Sequence, residues 1–393
     1  MSGPIVDLGP ASSGPAFHPT VDWLRTRRPV CQGVLPDGSV VWLVTRYEDV
    51  RAALADPRLS LSKRHAKGWK GFGLPPELDA NLLNMDAPDH TRIRRLVAPA
   101  FRPHAIERLR PRVERITEEL VAALRPLRET ELVGSFIEPL TLRSVCELLG
   151  VPLDDQMDLR RWNTEMLSET EGAPEARDNI VRLMRRLIRR RRTEPGDDLI
   201  SRLVVARDQD GVLSEDELTS LIFLVMVAGY MSSANFIGLA VLSLCGDSAQ
   251  LAALRSGAAP IGPAVSELLR YDTPEAVAPR RFPVVDMDIG GVRIRAGEPV
   301  VLVISSANRD PRRFPDAQRL VLDRAATNLS FGHGPHYCLG AALARLQAET
   351  GIAALVRSLP GLRLAQPDAE LVWLPSFRFR GLCELPVTWD TVA

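Results

Sequence analysis

One cysteine of this chain lies in a glycine-rich loop directly before a segment of strong helix formers. The loop reads Phe331-Gly332-His333-Gly334-Pro335-His336-Tyr337-Cys338-Leu339-Gly340, and the helical segment covers 341–349. The positive end of a helix dipole and its unpaired backbone N–H groups stabilise a thiolate. Gly332 and Gly334 leave room for the backbone to approach a flat cofactor, and Gly340 lets the helix lie close beneath it. The loop therefore predicts a metal-bound thiolate at Cys338.

This loop resembles the signature of the haem-thiolate monooxygenases, the cytochrome P450 family, which is Phe-x-x-Gly-x-x-x-Cys-x-Gly. Phe331, Gly334, Cys338 and Gly340 occupy its fixed positions. The resemblance implies a mainly α fold with small β-sheets, in which a triangular, α-rich body carries a long central helix over the haem. It also implies haem b (iron protoporphyrin IX) as the cofactor, with Cys338 as the metal ligand.

Two other interpretations of the loop stay open on the residues alone. The first is a glycine-rich loop that contains an ordinary half-buried cysteine. The second is a zinc site formed by His333, His336 and Cys338, although a fourth ligand at the usual spacing is lacking.

A long uncharged segment from Leu218 to Gly246 predicts a single helix. Its length would suit a membrane span. Its middle contains small and polar residues where lipid would favour apolar ones, and Ser214 with Glu217 forms a capping box at its start. We therefore predict a helix that crosses the middle of a globular protein.

In the family that the loop resembles, such a helix passes over the open face of the haem and carries Ala/Gly-Gly-x-acid-Thr. There the acid and the alcohol deliver protons to dioxygen. The matching residues here are Ala228, Gly229, Tyr230, Met231 and Ser232. The small pair Ala228-Gly229 fits a backbone that must pass close to the iron ligand.

Met231 departs from this pattern, because it stands in the position of the acid and can neither accept nor relay a proton. Proton delivery would then depend on Ser232, Ser233, ordered water or a polar group of the substrate. One interpretation is ordinary hydroxylation with Ser232 and water. The other is a specialised reaction, in which the substrate supplies the relay or paired one-electron oxidations couple carbon atoms without inserting oxygen.

Basic residues occur where two haem propionates could be bound. His90 and Arg94 lie four residues apart on one face of a predicted helix, which suits an anion clamp but also an ordinary solvated face. The resemblance implies that His90 and Arg94 hold one propionate, and that Arg281 and His336 hold the other.

Other positions are assigned by the same resemblance. Glu267 and Arg270 match a Glu-x-x-Arg pair on a helix behind the haem, where they would support the structure rather than take part in catalysis. The predicted substrate contacts are Trp69 and Phe72, from a glycine-containing lid, together with Val277 and Phe377.

Composition indicates a large enzyme of 393 residues without internal repeats. We predict an N-terminal extension over 1–19 and one cytochrome P450 domain over 20–393. The 49 basic residues balance 49 acidic ones, which argues against a nucleic-acid partner. Five scattered cysteines favour a reducing compartment, and the N-terminus lacks an apolar signal core. We expect a cytoplasmic protein without a membrane partner.

Electrons must come from another protein, because the chain contains no Gly-x-Gly-x-x-Gly motif and no cysteine cluster for iron–sulfur. We expect a ferredoxin with its ferredoxin reductase, docking near Arg95, Arg102 and Arg345. The expected function is oxidation of a small natural product, polycyclic or aromatic, in secondary metabolism with O2 as co-substrate. The alternatives are oxidative C–C or C–N coupling, of aryl or cyclodipeptide type, and a haem-based gas-binding or sensor protein.

Short strands are predicted around the helical body. Hairpins are expected to turn at Asp37-Gly38 and at Gly290-Gly291. Two further strands are expected over 299–304 and 377–382, the second because phenylalanine and arginine alternate there.

Overall fold

A computed structural model describes residues 5–9, 13–67, 74–167, 171–209, 211–325, 327–366 and 371–390. The described chain is mainly helical, and the predicted fold class is confirmed. The α-helices are α1 Phe17–Arg27, α2 Tyr47–Ala55, α3 Pro76–Asp79, α4 Asp89–Val97, α5 Pro103–Glu107, α6 Arg110–Leu124, α7 Glu138–Leu149, α8 Leu153–Leu167, α9 Ala173–Thr193, α10 Leu199–Asp208, α11 Glu215–Cys245, α12 Ser248–Ser256, α13 Ile261–Tyr271, α14 Ile304–Ala307 and α15 Ala341–Ser358.

Short strands form small sheets beside the helices. The strands are β1 Val6–Asp7, β2 Val30–Val34, β3 Val40–Val44, β4 Leu59–Ser60, β5 Glu129–Glu131, β6 Phe282–Pro283, β7 Met287–Ile289, β8 Val292–Ile294, β9 Val300–Leu302, β10 Arg363–Leu364 and β11 Pro386–Thr388. The sheet orders are β1-β2-β3-β9, β10-β11-β5, β4-β6 and β7-β8. β1 lies within the predicted N-terminal extension and pairs in parallel with β2, which attaches that segment to the body.

Both predicted hairpins are present, as the antiparallel pairs β2–β3 and β7–β8. The predicted strand over 299–304 is shorter than expected, because α14 begins at Ile304. The prediction of a strand over 377–382 is wrong. Only isolated bridges join Phe379 to Glu275 and Leu382 to Trp373.

The failed strand has a physical cause in Arg380. Its side chain is buried and donates to Asp272 Oδ1 at 2.7 Å and to the Gly14 carbonyl oxygen at 3.0 Å. The alternation of phenylalanine and arginine therefore does not separate an apolar face from a solvated one. The segment is held by side-chain contacts rather than by a strand ladder.

The central helix α11 is the longest element of the described chain. Its 31 residues extend about 46 Å. The predicted capping box at Ser214 and Glu217 is confirmed. α11 packs against α3, α7, α9 and α15. Of its most apolar stretch of 18 residues, 61% is buried inside the protein. A helix surrounded by protein on this scale is a core helix, although its length and composition would allow it to span a membrane.

Behind the core, Glu267 and Arg270 of α13 form a buried ion pair with two hydrogen bonds, at 2.7 and 2.8 Å, and each side chain is 1% exposed. Arg270 also donates to the carbonyl oxygens of Asn308, Ala317 and Arg319. A buried ion pair is tolerated only when its remaining polar atoms are bonded in this way. The pair therefore fixes the irregular segment after α14 against α13, as its predicted structural role requires.

Replacing Arg270 by alanine should lower the free energy of unfolding by about 3–5 kcal/mol, because Glu267 and three carbonyl groups lose a buried partner. Urea unfolding followed by circular dichroism measures this change. The matched control is Arg161→Ala, which removes an exposed pair with Asp158 and should cost less than about 1 kcal/mol. Equal losses in the two variants would contradict the structural role of Arg270.

Candidate active site

The cysteine loop is a tight turn that backbone hydrogen bonds hold in place. Cys338 N donates to the Phe331 carbonyl oxygen at 2.8 Å, and Gly332 N donates to the Leu329 carbonyl oxygen at 2.8 Å. A short 3-10 turn over Gly334–His336 lies between them. The loop therefore presents Cys338 from a fixed backbone immediately before α15.

The glycines of this loop have different roles from one another. Gly332 has φ +74°, and its missing side chain would meet only the His336 carbonyl oxygen, at 3.8 Å. Gly334 has φ +78°, and a Cβ there would lie 3.0 Å from Ala55 Cα at the end of α2. Gly334 thus allows the loop to pack on α2, and the prediction that it makes room for a flat cofactor is wrong. A Cβ at Gly340 would lie 4.0 Å from Cys338 Sγ.

The side chain of Cys338 has accessible surface although protein atoms surround it. We call the space that this surface borders the cleft. Burial raises the pKa of Cys338 to about 11, and a hydrogen bond from the Gly340 backbone lowers it only in part. Desolvation therefore opposes the stabilisation that the helix start gives to a thiolate. A bound metal cation would supply the missing stabilisation.

Two arginines anchor the cysteine loop. Arg94 of α4 donates to the Tyr337 carbonyl oxygen at 2.6 Å. The Arg345 guanidinium lies over the Phe331 ring, 4.7 Å from its centroid. Both positive charges act to lower the pKa of Cys338. These contacts give Arg94 and Arg345 positioning roles at the loop.

The four predicted propionate ligands lie near one another in one cluster. The rings of His90 and His336 lie 4.0 Å apart between centroids. Burial and the neighbouring charges of His90 and Arg281 lower the pKa of His336 to about 3. Burial likewise lowers the pKa of Arg281 to about 10. Asp86 is the acidic neighbour of this group, and its carboxylate accepts hydrogen bonds from Ser60 and from Leu61 N.

Buried nitrogens of this cluster are unpartnered within the residues that the structure describes. His90 Nε2 and Arg281 Nε have no hydrogen-bond acceptor there, and both side chains are 3% exposed. A buried polar group without a partner costs about 1–3 kcal/mol, and more when it is charged. The cluster therefore has the donors and the charge to bind an anionic group next to the cysteine loop, as two propionates require.

One face of α11, the open face, keeps accessible surface in the middle of the helix. Leu224, Val227, Ala228, Met231 and Ser232 keep accessible surface, while most neighbouring residues of the helix are buried. Their spacing of three and four residues places them on the same side of a helix. Ala228 is the one small residue of the described α11 that is exposed, so this face can lie over a planar group.

The remaining motif residues face other directions. A Cβ at Gly229 would lie 2.7 Å from Val145 Cγ2, so this glycine allows α11 and α7 to pack closely. Its predicted approach to an iron ligand stays a prediction. The Tyr230 hydroxyl donates to Glu138 Oε1 at 3.1 Å. Ser233 is buried. Of the residues predicted to be catalytic, Met231 and Ser232 therefore lie on the open face.

A carboxylate that sequence reasoning missed lies against Ser232. Ser232 Oγ donates to Glu275 Oε1 at 2.7 Å, across 43 positions of sequence. Burial raises the pKa of Glu275, and Arg378, with its Nε 3.8 Å from Oε2, opposes this shift. The only sequence signal was the position of Glu275 in the turn that follows the Glu-x-x-Arg helix.

The predicted substrate contacts are only partly described. Trp69 and Phe72 lie outside the described residues. Val277 and Phe377 are buried in a hydrophobic cluster with Phe17, whose ring centroid is 6.1 Å from that of Phe377. Their assignment as substrate contacts stays a prediction. Within the described ranges, no group of three His, Cys, Asp or Glu side chains could hold a metal ion, so nothing there supports the zinc interpretation.

Comparison with known proteins gives matches over nearly the whole chain. A family model described as Cytochrome P450 matches residues 17–150 and 263–360. The mycinamicin IV hydroxylase/epoxidase of Micromonospora griseorubida is 41% identical over 374 residues, which cover 93% of this chain and 94% of the relative. The cytochrome P450 monooxygenase PikC of Streptomyces venezuelae is 39% identical over 401 aligned residues, which cover 99% of this chain and 95% of the relative.

Comparison with solved structures gives matches in the same family. The crystal structure of the myxobacterial cytochrome P450 CYP267B1 in complex with myristic acid matches with a TM-score of 0.92 at 34% identity, over 98% of both chains. The motif, the helical fold and these matches agree, and the chain belongs to the cytochrome P450 family of oxidoreductases, in which a cysteine thiolate binds the iron of haem b.

Proposed function

We propose that this chain oxidises a small secondary metabolite with O2, on a haem that Cys338 binds through its thiolate. The observation that carries the proposal is the buried basic cluster with unpartnered nitrogens at His90 and Arg281, beside the cysteine loop. The oxidation of natural products agrees with the names of the relatives. When bound, the haem supplies the activation of O2 by electrons from outside.

In this proposal each residue holds the cofactor through a group that the structure presents. Cys338 would provide the sulfur ligand of the iron, and Phe331, Gly332 and Gly340 would shape the loop around it. His90, Arg94, Arg281 and His336 would bind the propionates, with the histidines as neutral hydrogen-bonding rings. Ala228 and Gly229 would belong to the α11 segment that borders the haem, and of these two Ala228 is the more exposed.

Replacing Cys338 by serine should abolish the red-displaced Soret band of the reduced, carbon-monoxide-treated protein, because only a thiolate ligand produces it in this family. Difference spectroscopy measures the band. The matched control is Cys383→Ser, which removes a second exposed thiol and should keep the band. A band that survives in Cys338→Ser would show that another group binds the iron.

Replacing Arg281 by leucine should speed the transfer of haem to excess apomyoglobin by about tenfold, because a charge-assisted hydrogen bond to a propionate contributes about 1.5–3 kcal/mol. The absorbance change during transfer gives the rate. Arg280→Leu is the matched control, since Arg280 Nη2 binds Asp37 at 2.7 Å on the outside of the protein. The same transfer rate in Arg281→Leu and in the wild type would contradict the propionate assignment.

We propose that the electrons come from a separate ferredoxin with its reductase, in the cytoplasm. Arg95 and Arg102 are exposed near the cysteine loop's supporting helix α4, and they suit an acidic partner. Arg345, which was expected to join them, is half-buried against Phe331. The docking surface of the proposal therefore consists of Arg95 and Arg102.

The double variant Arg95→Glu, Arg102→Glu should slow reduction by a plant-type ferredoxin about tenfold or more at low salt, and the difference should vanish as salt rises. Stopped-flow reduction in the presence of carbon monoxide gives the rate. Arg161→Glu, which changes an exposed arginine of α8, serves as the control. If both variants are reduced at one rate, the ferredoxin docks elsewhere.

A further inference from the structure

The open face of α11 lacks an acid of its own, and the structure provides one from another segment. Met231 occupies the position next to Ser232 and cannot transfer a proton. Glu275 approaches Ser232 from the connection between α13 and β6, with 2.7 Å between Glu275 Oε1 and Ser232 Oγ. An alcohol and a carboxyl group in direct hydrogen-bond contact are what proton transfer requires.

The backbone on both sides of Glu275 is held by hydrogen bonds, which fixes the position from which its side chain contacts Ser232. Glu275 forms an isolated antiparallel bridge with Phe379. On one side Asp272 is bonded to Arg380 at 2.7 Å and to His18 at 3.1 Å. On the other side the Ala276 carbonyl oxygen accepts a hydrogen bond from Ser305 N at 3.1 Å. Rigid neighbours on both sides hold the carboxylate against α11.

The carboxyl group lies within electrostatic range of the cysteine, because its negative charge acts to raise the pKa of Cys338. The Glu275 side chain is 27% exposed and that of its neighbour Arg378 is 34% exposed. Water can therefore reach the carboxyl group. Burial raises the pKa of Glu275, so the protonated form is accessible nearer to neutral pH than for an ordinary glutamate.

We propose that Glu275 and Ser232 together deliver protons into the cleft where O2 is reduced, with Glu275 replacing the acid that Met231 lacks. The proposal rests on the proposed function, since it assumes that a haem is bound at Cys338. In this arrangement Glu275 and Ser232 are both catalytic residues. Met231 only packs beside them, against the main hydrophobic core.

The transfer of one proton through this pair balances as follows. The protonated carboxyl group of Glu275 gives its proton to Ser232 Oγ, while the hydroxyl proton of Ser232 leaves into the cleft. Water then returns a proton to the carboxylate. No electron moves between these residues, because both electrons for each pair of protons come from the external donor. Four protons and four electrons convert O2 to two waters, whereas two of each give hydrogen peroxide.

The test uses the holoenzyme with a plant-type ferredoxin, its reductase and NADPH, in the absence of any substrate. Oxygen consumed and hydrogen peroxide released per NADPH give the share of electrons that reaches water. In Glu275→Gln the ratio of water to peroxide should fall by about tenfold or more, towards the ~10²-fold that a positioned acid contributes at the least. Ser232→Ala should give the same fall, and the double variant should add little, because the two residues act as one unit.

Matched variants separate this role from simple disruption of the helix. Ser232→Thr keeps a hydroxyl group and should keep the wild-type ratio. Ser243→Ala removes another serine of α11, one that donates to the Leu239 carbonyl oxygen at 2.8 Å, and should also keep it. An unchanged ratio in Glu275→Gln, or a fall of equal size in Ser243→Ala, would overturn the proposal.

A second readout does not depend on turnover. Infrared difference spectra of the holoenzyme at varied pH show the carboxyl band that disappears in Glu275→Gln. In Ser232→Ala the midpoint of this band should rise, because the hydrogen bond from Ser232 lowers the pKa of Glu275. An unshifted midpoint would show that the two side chains are not bonded in solution, and would also overturn the proposal.

The proposed function is tested separately within the same samples. If Glu275→Gln lacks the red-displaced Soret band, and wild type lacks it too, the haem assignment has failed. If the band is present in both and the water-to-peroxide ratio is unchanged, only the role of Glu275 has failed. A variant that loses substrate-induced spectral shifts while keeping the wild-type ratio would make Glu275 a substrate contact, which also contradicts proton delivery.

Discussion

Desolvation of charge is the constraint on which the site depends. Around the cleft, burial raises the pKa of the Cys338 thiol and lowers the pKa values of His90, His336 and Arg281. Each shift disfavours the charged form in the protein alone. A haem reverses these penalties together, because iron stabilises the thiolate and the propionates supply anions to the basic cluster. The cofactor thus gains binding energy from groups that lack enough partners in the protein alone. The same desolvation opposes formation of the Cys338 thiolate at the start of the helix.

The rest of the fold fixes the distances across this cleft. α11 is clamped to α7 by the close packing of Gly229 on Val145, and to α15 by Gln347, which donates to the Gly229 carbonyl oxygen at 3.3 Å. α15 begins directly after the cysteine loop, so the sulfur and the open face of α11 are parts of one rigid arrangement. Glycine at 229 therefore serves helix packing, and the position of Ala228 over the cleft follows from that packing. Behind the site, the buried Glu267–Arg270 pair likewise fixes one segment against another, because it holds the chain after α14 against α13.

Sequence reasoning succeeded where a pattern is local. The capping box at Ser214, the hairpin turns and the cysteine loop are each determined by residues within a few positions of one another. It failed where a residue distant in sequence determines the local structure, as for the segment over 377–382. From the sequence alone Arg380 is expected to be solvated, but in the structure it donates to Asp272 and to the Gly14 carbonyl oxygen. The predicted role of Gly334, to make room for a flat cofactor, failed for the same reason, because its actual contact at the end of α2 is remote in sequence.

Glu275 is the clearest example of such a distant partner. A sequence motif covers residues at fixed spacing along one helix. It therefore predicts that the acid is missing at Met231, and it cannot predict contact with a carboxylate 43 residues further along the chain from Ser232. What proton transfer requires is contact between the alcohol and the carboxyl group, and a connected sequence is only one way to provide it. Placing the acid on the rigid connection after α13 keeps it next to Ser232 while Met231 packs apolar surface at the cleft. If Glu275 and Ser232 transfer protons as proposed, oxygen insertion at this site needs no proton relay from the substrate.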